Sequence, residues 1–228
     1  MAAEGVGVRA QAGEDATRER LARTWFAATA AAVAAGIVIQ LPVTATTGGS
    51  PFTDPTARTF NIFAFFTIDS NLIIGAVCLL LAIRLDRTSP VFHVVRLTGL
   101  VAIVITGIVF HVAIANLLEL DGWAQAANQL QHTIVPVMSV VGWLMFGPRG
   151  HATRTYAVVA LTFPVLWMIF TISRGAAIHW YPYPFINVDD LGYVRVAVNS
   201  VWIAVLFFAI AGGAVALDKF LMRLDAAR

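Results

Sequence analysis

The chain has 228 residues, 59% of them hydrophobic and only 12% charged, with a mean hydropathy of +0.78. A soluble domain carries about 25% charged residues, so these charges cannot cover a globular surface in water. Most of the surface must face lipid. A formal net charge of +2 excludes the basic footprint of a nucleic-acid binder, and the single cysteine, Cys78, excludes an internal disulfide.

Residues 1–23 are polar and of mixed charge, which predicts a disordered tail with Arg18, Arg20 and Arg23 against the membrane. The first apolar run, Thr24–Val43, has the ~20 residues that a bilayer crossing needs. It is longer than the roughly 7–15 residues of a signal-peptide core, so the expectation is a retained helix. Residues 44–59 are turn formers and predict a loop. The second run, Phe60–Ile83, carries Asn61, Thr67, Asp69, Ser70 and Asn71. The third covers 91–118 with His93, Arg96, His111 and Asn116. The fourth covers 125–146 with Asn128, Gln129, Gln131 and His132, and Gly147-Pro148 ends it. A fifth span is expected over 155–172, a long loop over Ser173–Leu191, and a sixth span over 192–217 before a short tail from 219 to 228.

The expected fold is therefore all-α, a polytopic bundle of six transmembrane helices. Loop charges orient it. With the N terminus inside, eleven basic residues are cytoplasmic: Arg9, Arg18, Arg20, Arg23, Arg84, Arg87, Arg149, Arg154, Lys219, Arg223 and Arg228. Only Arg58 and Arg174 lie in the opposite loops. That asymmetry puts both termini in the cytoplasm. Arginine almost replaces lysine among the basic residues, the usage of a GC-rich bacterial genome, so the expected location is the bacterial plasma membrane.

This topology sets depth. Thr67 is seven residues past Phe60, His132 seven past Gln125, His111 seven before Leu118 and Asn199 seven past Gly192. Each is then roughly 10 Å below the outer surface. Polar groups at that depth are costly unless they pair or line a wet cavity, and four helices supply one each. Thr67 and Asn71 share a helix face, as do Asn128 and His132. Asp69 points elsewhere, toward Arg96, Arg195 or Asn116. The loop with His179, Trp180, Tyr181 and Tyr183 is expected to cap the outer mouth, with Arg174 beside it as an anchor or a carboxylate binder.

No soluble-enzyme motif occurs: no GxSxG elbow, HExxH, CxxC, phosphate loop or dinucleotide fingerprint. The stretches Phe65-Phe66-Thr67-Ile68-Asp69-Ser70-Asn71-Leu72, Gln131-His132 leading to Pro136, and Trp180-Tyr181-Pro182-Tyr183-Pro184-Phe185 resemble bacterial members of the androgen-induced-protein family. The resemblance covers about residues 24–218. That family includes human membrane proteins that hydrolyse fatty acid esters of hydroxy fatty acids, with a membrane threonine and histidine as the essential pair. It thus implies Thr67 as nucleophile, His132 as base and a lipid or fatty acyl ester as substrate, with no cofactor and no metal. Asn71, Asn128 and Asn199 are the candidate oxyanion donors, and His111, Arg174, Tyr181 and Tyr183 the supporting residues. Two alternatives remain from the residues themselves. His111 and His132 suit axial ligation of haem in an electron carrier, with His93 and His151 as a second pair, and a small bundle also suits a transporter. The oligomeric state is open.

Overall fold

A computed structural model of the chain describes residues 2–46 and 52–226, with side chains from residue 13 onward. The described residues are helical, with no strand among them. In chain order they form α1 (Ala2–Thr46), α2 (Pro55–Asn61), α3 (Phe66–Ile83), α4 (Pro90–Val109), α5 (Gly122–Gln129), α6 (Val135–Phe146), α7 (Arg154–Ala160), α8 (Thr162–Ile178) and α9 (Val188–Ala226). Two π-helical turns, Phe110–Ile114 after α4 and Leu130–Ile134 joining α5 to α6, carry the two histidines His111 and His132.

Among the described residues, five stretches are long and apolar enough to cross a membrane: Gly13–Thr46, Phe66–Ile83, Pro90–Leu117, Arg154–Ile178 and Val188–Ala226. The chain is a polytopic helical membrane protein. The expected fourth span, over α5 and α6, is not one of the five, because Asn128, Gln129, Gln131 and His132 occupy its first half.

Helix starts follow local chemistry. The Asp54 carboxylate accepts the Ala57 N–H at 2.7 Å, Ser89 caps α4 through the Phe92 N–H, and Thr153 caps α7 through the Tyr156 N–H. Pro55 and Pro90 occupy first-turn positions where no donor is needed. Helix α8 ends where His179 turns left-handed at φ 54°.

Several boundaries differ from expectation. The tail expected to be disordered is helical from Ala2, continuous with the first span. Its alanines favour helix, and Thr17 to Gly13 and the Glu19–Arg23 pair at 2.6 Å bind successive turns. The second helix is not one run: it breaks at Phe65, which is extended at φ −86° and ψ 128°, so α3 begins at Phe66. The long loop shrinks to residues 179–187, because α8 continues to Ile178 and α9 begins at Val188. Gly192, at φ 72°, kinks α9 where a residue with a Cβ would be strained. Helix α9 also continues through the expected tail to Ala226. Asp218 near that end is buried and accepts the Ala152 N–H at 2.8 Å.

Helix α1 packs on α3 and on α5–α6, while α4 sits between α3, α6, α7 and α9. Close approaches need small residues. A Cβ at Gly75 would meet Val33 Cγ1 at 2.8 Å, and one at Gly142 would meet the Trp25 ring at 2.8 Å. Polar ties cross the same seam: Trp25 Nε1 donates to the Met138 carbonyl at 2.9 Å, and Gln131 Nε2 to the Gly36 carbonyl at 3.0 Å. In a membrane, such bonds and close contacts replace the hydrophobic drive between helices.

Candidate active site

Proline sets up the histidine. Pro136 has no N–H and its ring crowds the carbonyl four residues back, which is that of His132. The helix relaxes into a π turn just before it, with the Val135 N–H bonding Leu130 O. The Gln131 carbonyl thereby loses its α-helical donor, Val135, and instead accepts Asn71 Nδ2 at 3.3 Å. Asn71 Nδ2 also donates to the Thr67 carbonyl at 2.9 Å. The asparagine so joins the backbones that carry Thr67 and His132.

Thr67 stands in the first turn of α3. The Phe65 carbonyl takes the Ile68 and Asp69 amides, so the Thr67 amide before them is left without a helical acceptor. The Thr67 N–H donates to the Tyr183 hydroxyl at 3.1 Å. Thr67 Oγ1 lies 3.2 Å from His132 Nε2 and 3.2 Å from Tyr183 Oη. His132 Nδ1 lies 3.1 Å from the Asn128 carbonyl. One assignment of hydrogens satisfies all of these. A carbonyl only accepts, so Nδ1 carries the ring proton and Nε2 presents a lone pair. Thr67 O–H then donates to Nε2, and Tyr183 O–H donates to Thr67 Oγ1. Burial pushes the Tyr183 phenol up to about 12, so it stays neutral and remains a donor.

The Phe110 ring covers one face of His132, at 4.0 Å and 22° between planes. Gly107, one turn earlier on α4, lets this helix approach: a Cβ there would lie 3.3 Å from the His132 carbonyl. Beside the pair opens a cavity of about 300 Å³ with mainly apolar walls, including Ile105, Val109, Met168 and Phe207. Val165 and Ile169 also line it and lie on the exposed side of α8, so the cavity reaches the outer surface of the bundle.

The loop that brings Tyr183 in is well anchored. Asn199 Nδ2 donates to the Phe185 carbonyl at 2.7 Å, and the Tyr183 ring stacks on Phe185 at 5.3 Å. Phe65 meets both Tyr183 and Trp180 edge-on. Tyr181 is buried against Gly175, where any Cβ would overlap its ring.

The structure brings together Thr67, His132 and Tyr183 and separates the other candidates from them. Asn71 and Asn199 spend their amides on backbone carbonyls and do not face the threonine hydroxyl. Asn128 contributes its main-chain carbonyl. His111 is exposed and lies 3.1 Å from Thr133 Oγ1. Arg174 donates to Asn61 Oδ1 at 2.7 Å and lies over the Phe52 and Trp180 rings. Tyr181 is a packing residue of the loop. Asp69 is half-buried and bonds no side chain among the described residues. Arg96 turns instead to the Pro148 carbonyl at 3.0 Å, and Arg195 and Asn116 are exposed.

Phe110 and the Asn128 carbonyl escaped the sequence reading; Pro136, four residues past His132, was the available signal for the shifted helix. His132 has both nitrogens engaged and its face covered by Phe110. His93 and His151 stack at 3.9 Å and 8°. No family model, curated protein or solved structure matches the chain.

Proposed function

We propose that the chain is a six-span protein of the bacterial plasma membrane, with both termini in the cytoplasm, and that it hydrolyses carboxylic esters of lipids. The observation that carries the reading is Thr67 Oγ1 at 3.2 Å from a His132 nitrogen whose partner nitrogen is occupied by a carbonyl. That is the pairing of nucleophile, base and orienting group used in covalent acyl transfer. The likeness of these segments to the androgen-induced-protein family supports the same pair.

As Thr67 Oγ1 attacks the ester carbonyl, its proton passes to His132 Nε2. Collapse of the tetrahedral intermediate expels the alcohol, which takes that proton, and leaves the acyl group on Thr67. Water then attacks with His132 again as base, releasing the acid and restoring the Thr67 hydroxyl. The asparagines are not the oxyanion donors in this scheme. The neutral Tyr183 phenol, 3.2 Å from Oγ1, is the donor in reach, and the helix N-terminus adds positive potential there. The apolar cavity takes the acyl chain, which enters from the lipid past Val165 and Ile169.

A fluorophosphonate probe and a long-chain ester test the reading. Thr67→Ala and His132→Ala should lose both labelling and turnover. Labelling and hydrolysis at the wild-type rate would refute it. Sidedness is tested with cysteine placed at 57 or 224 and a membrane-impermeant thiol reagent on intact cells. Only position 57 should react, and Cys78 is buried and silent.

A further inference from the structure

A second concavity lies far from Thr67, between α7 and the last turns of α9. It holds about 500 Å³ and is lined by Ala157, Ala211, Gly212, Val215 and Ala216, with Phe208 at one end and Arg154 and Lys219 at the other. The α9 side is cut down to small residues: a Cβ on Gly212 would meet nothing within 4 Å. From Phe208 to Lys219 the helix rises about 16 Å at about 1.5 Å per residue. That matches the ~15 Å of hydrocarbon in one leaflet, half of a ~30 Å core.

The charged end is uncompensated. Arg154 and Lys219 are exposed and form no ion pair among the described residues. The carboxylate next to Lys219 is withdrawn: Asp218 is 1% exposed and turned inward onto the Ala152 N–H. Asp225, the next acid along α9, sits beside Arg149 at 4.0 Å.

We infer that this groove binds an anionic phospholipid of the inner leaflet, its phosphate between Arg154 and Lys219 and one acyl chain along the small-residue face of α9. A groove with the depth of one leaflet, and two free cations only at its headgroup end, complements such a lipid along its whole length. Neither a soluble anion nor a zwitterionic lipid uses both features. The inference rests on the membrane-spanning reading and is independent of the ester chemistry at Thr67.

Native mass spectrometry of the full-length protein, released from micelles containing equal phosphatidylglycerol and phosphatidylcholine, tests it. Wild type should retain one phosphatidylglycerol in preference to phosphatidylcholine. Arg154→Ala or Lys219→Ala should each lower that preference about fivefold, and the double variant about thirtyfold. Arg223→Ala removes a cation outside the groove and should leave it unchanged. Gly212→Leu, or Ala216→Leu where the first fails to fold, should displace the lipid with both cations intact. Glycerol phosphate should not compete. Any of four results overturns the inference: preference kept in the double variant, an equal loss in Arg223→Ala, unchanged binding in the groove-filling variants, or a wild-type dimer that those variants dissociate. The last would make the groove a contact with a second copy. Repeating the measurement in Thr67→Ala, where the same binding is expected, separates this outcome from failure of the hydrolase reading.

Discussion

Gly175→Ala should act on the candidate active site without touching it. The Cβ would overlap the Tyr181 ring, which is 8% exposed and packed with Trp167, Ile186 and Val196. A flexible side chain could swing aside; a buried aromatic ring cannot. Overpacking of this kind costs about 1–3 kcal/mol. Against it stands the helix preference of alanine over glycine, at most about 1 kcal/mol. The clash wins, and a net loss of about 1–2 kcal/mol follows. The loop then moves, and Tyr183, two residues beyond Tyr181, withdraws from the Thr67 N–H and hydroxyl. Thermal unfolding in micelles reads the first effect, and hydrolysis of a long-chain ester reads the second. Gly213→Ala is the matched control: a Cβ there meets nothing within 4 Å, so it should keep the helix gain of up to about 1 kcal/mol with no clash against it. Tyr181→Leu combined with Gly175→Ala should recover part of both losses. If Gly175→Ala and Gly213→Ala unfold at the same temperature, the loop is not held by this contact and the reasoning fails.

Other outcomes follow from the same contacts. Asn71→Ala strips the Gln131 carbonyl of its donor, so stability should fall by about 1–3 kcal/mol. Activity should fall with it, because the π turn aims His132; an active, stable variant would show that the turn holds itself. Phe110→Ala removes the ring against His132 and should cost about 3–5 kcal/mol, measured by denaturant unfolding. Tyr183→Phe should reduce turnover about 100-fold if the phenol stabilises the oxyanion. It should also change the alkaline limb. Folding raises this phenol from about 10 to about 12, so its contribution is complete below pH 10 and is lost as the pH climbs toward 12. Phenolate absorbance should show one fewer late-titrating tyrosine in Tyr183→Phe than in wild type.

Five of the six expected crossings were legible because long apolar runs leave little choice of environment, and counting residues along the runs paired Thr67 with His132, whose side chains meet. What was not legible came from interactions between distant segments. Nothing in Phe65-Phe66 announces a break; α3 starts there with Tyr183, from the α8–α9 loop, receiving its free amide. His111 and Asn199 were counted to the same level as Thr67 but do not join it, and a residue count alone gives no azimuth. Counting at 100° per residue assumed regular helices, and both histidines lie in turns where that assumption fails. Asp69 pointed away from Thr67 as the spacing required, but the partner sought for it among Arg96, Arg195 and Asn116 does not exist, since Arg96 is engaged at the opposite end of α4.

The π turn at Leu130–Ile134 has a consequence for the whole α5–α6 rod. An extra residue in one turn shifts the phase of everything after it, so the two halves need not obey one stripe. The polar half can aim His132 by the needs of α3, while Ser139, Gly142 and Trp143 follow the separate needs of α1 and the core. Removing one residue from that turn would re-couple the halves: restoring either contact surface would turn the other away by about 100°.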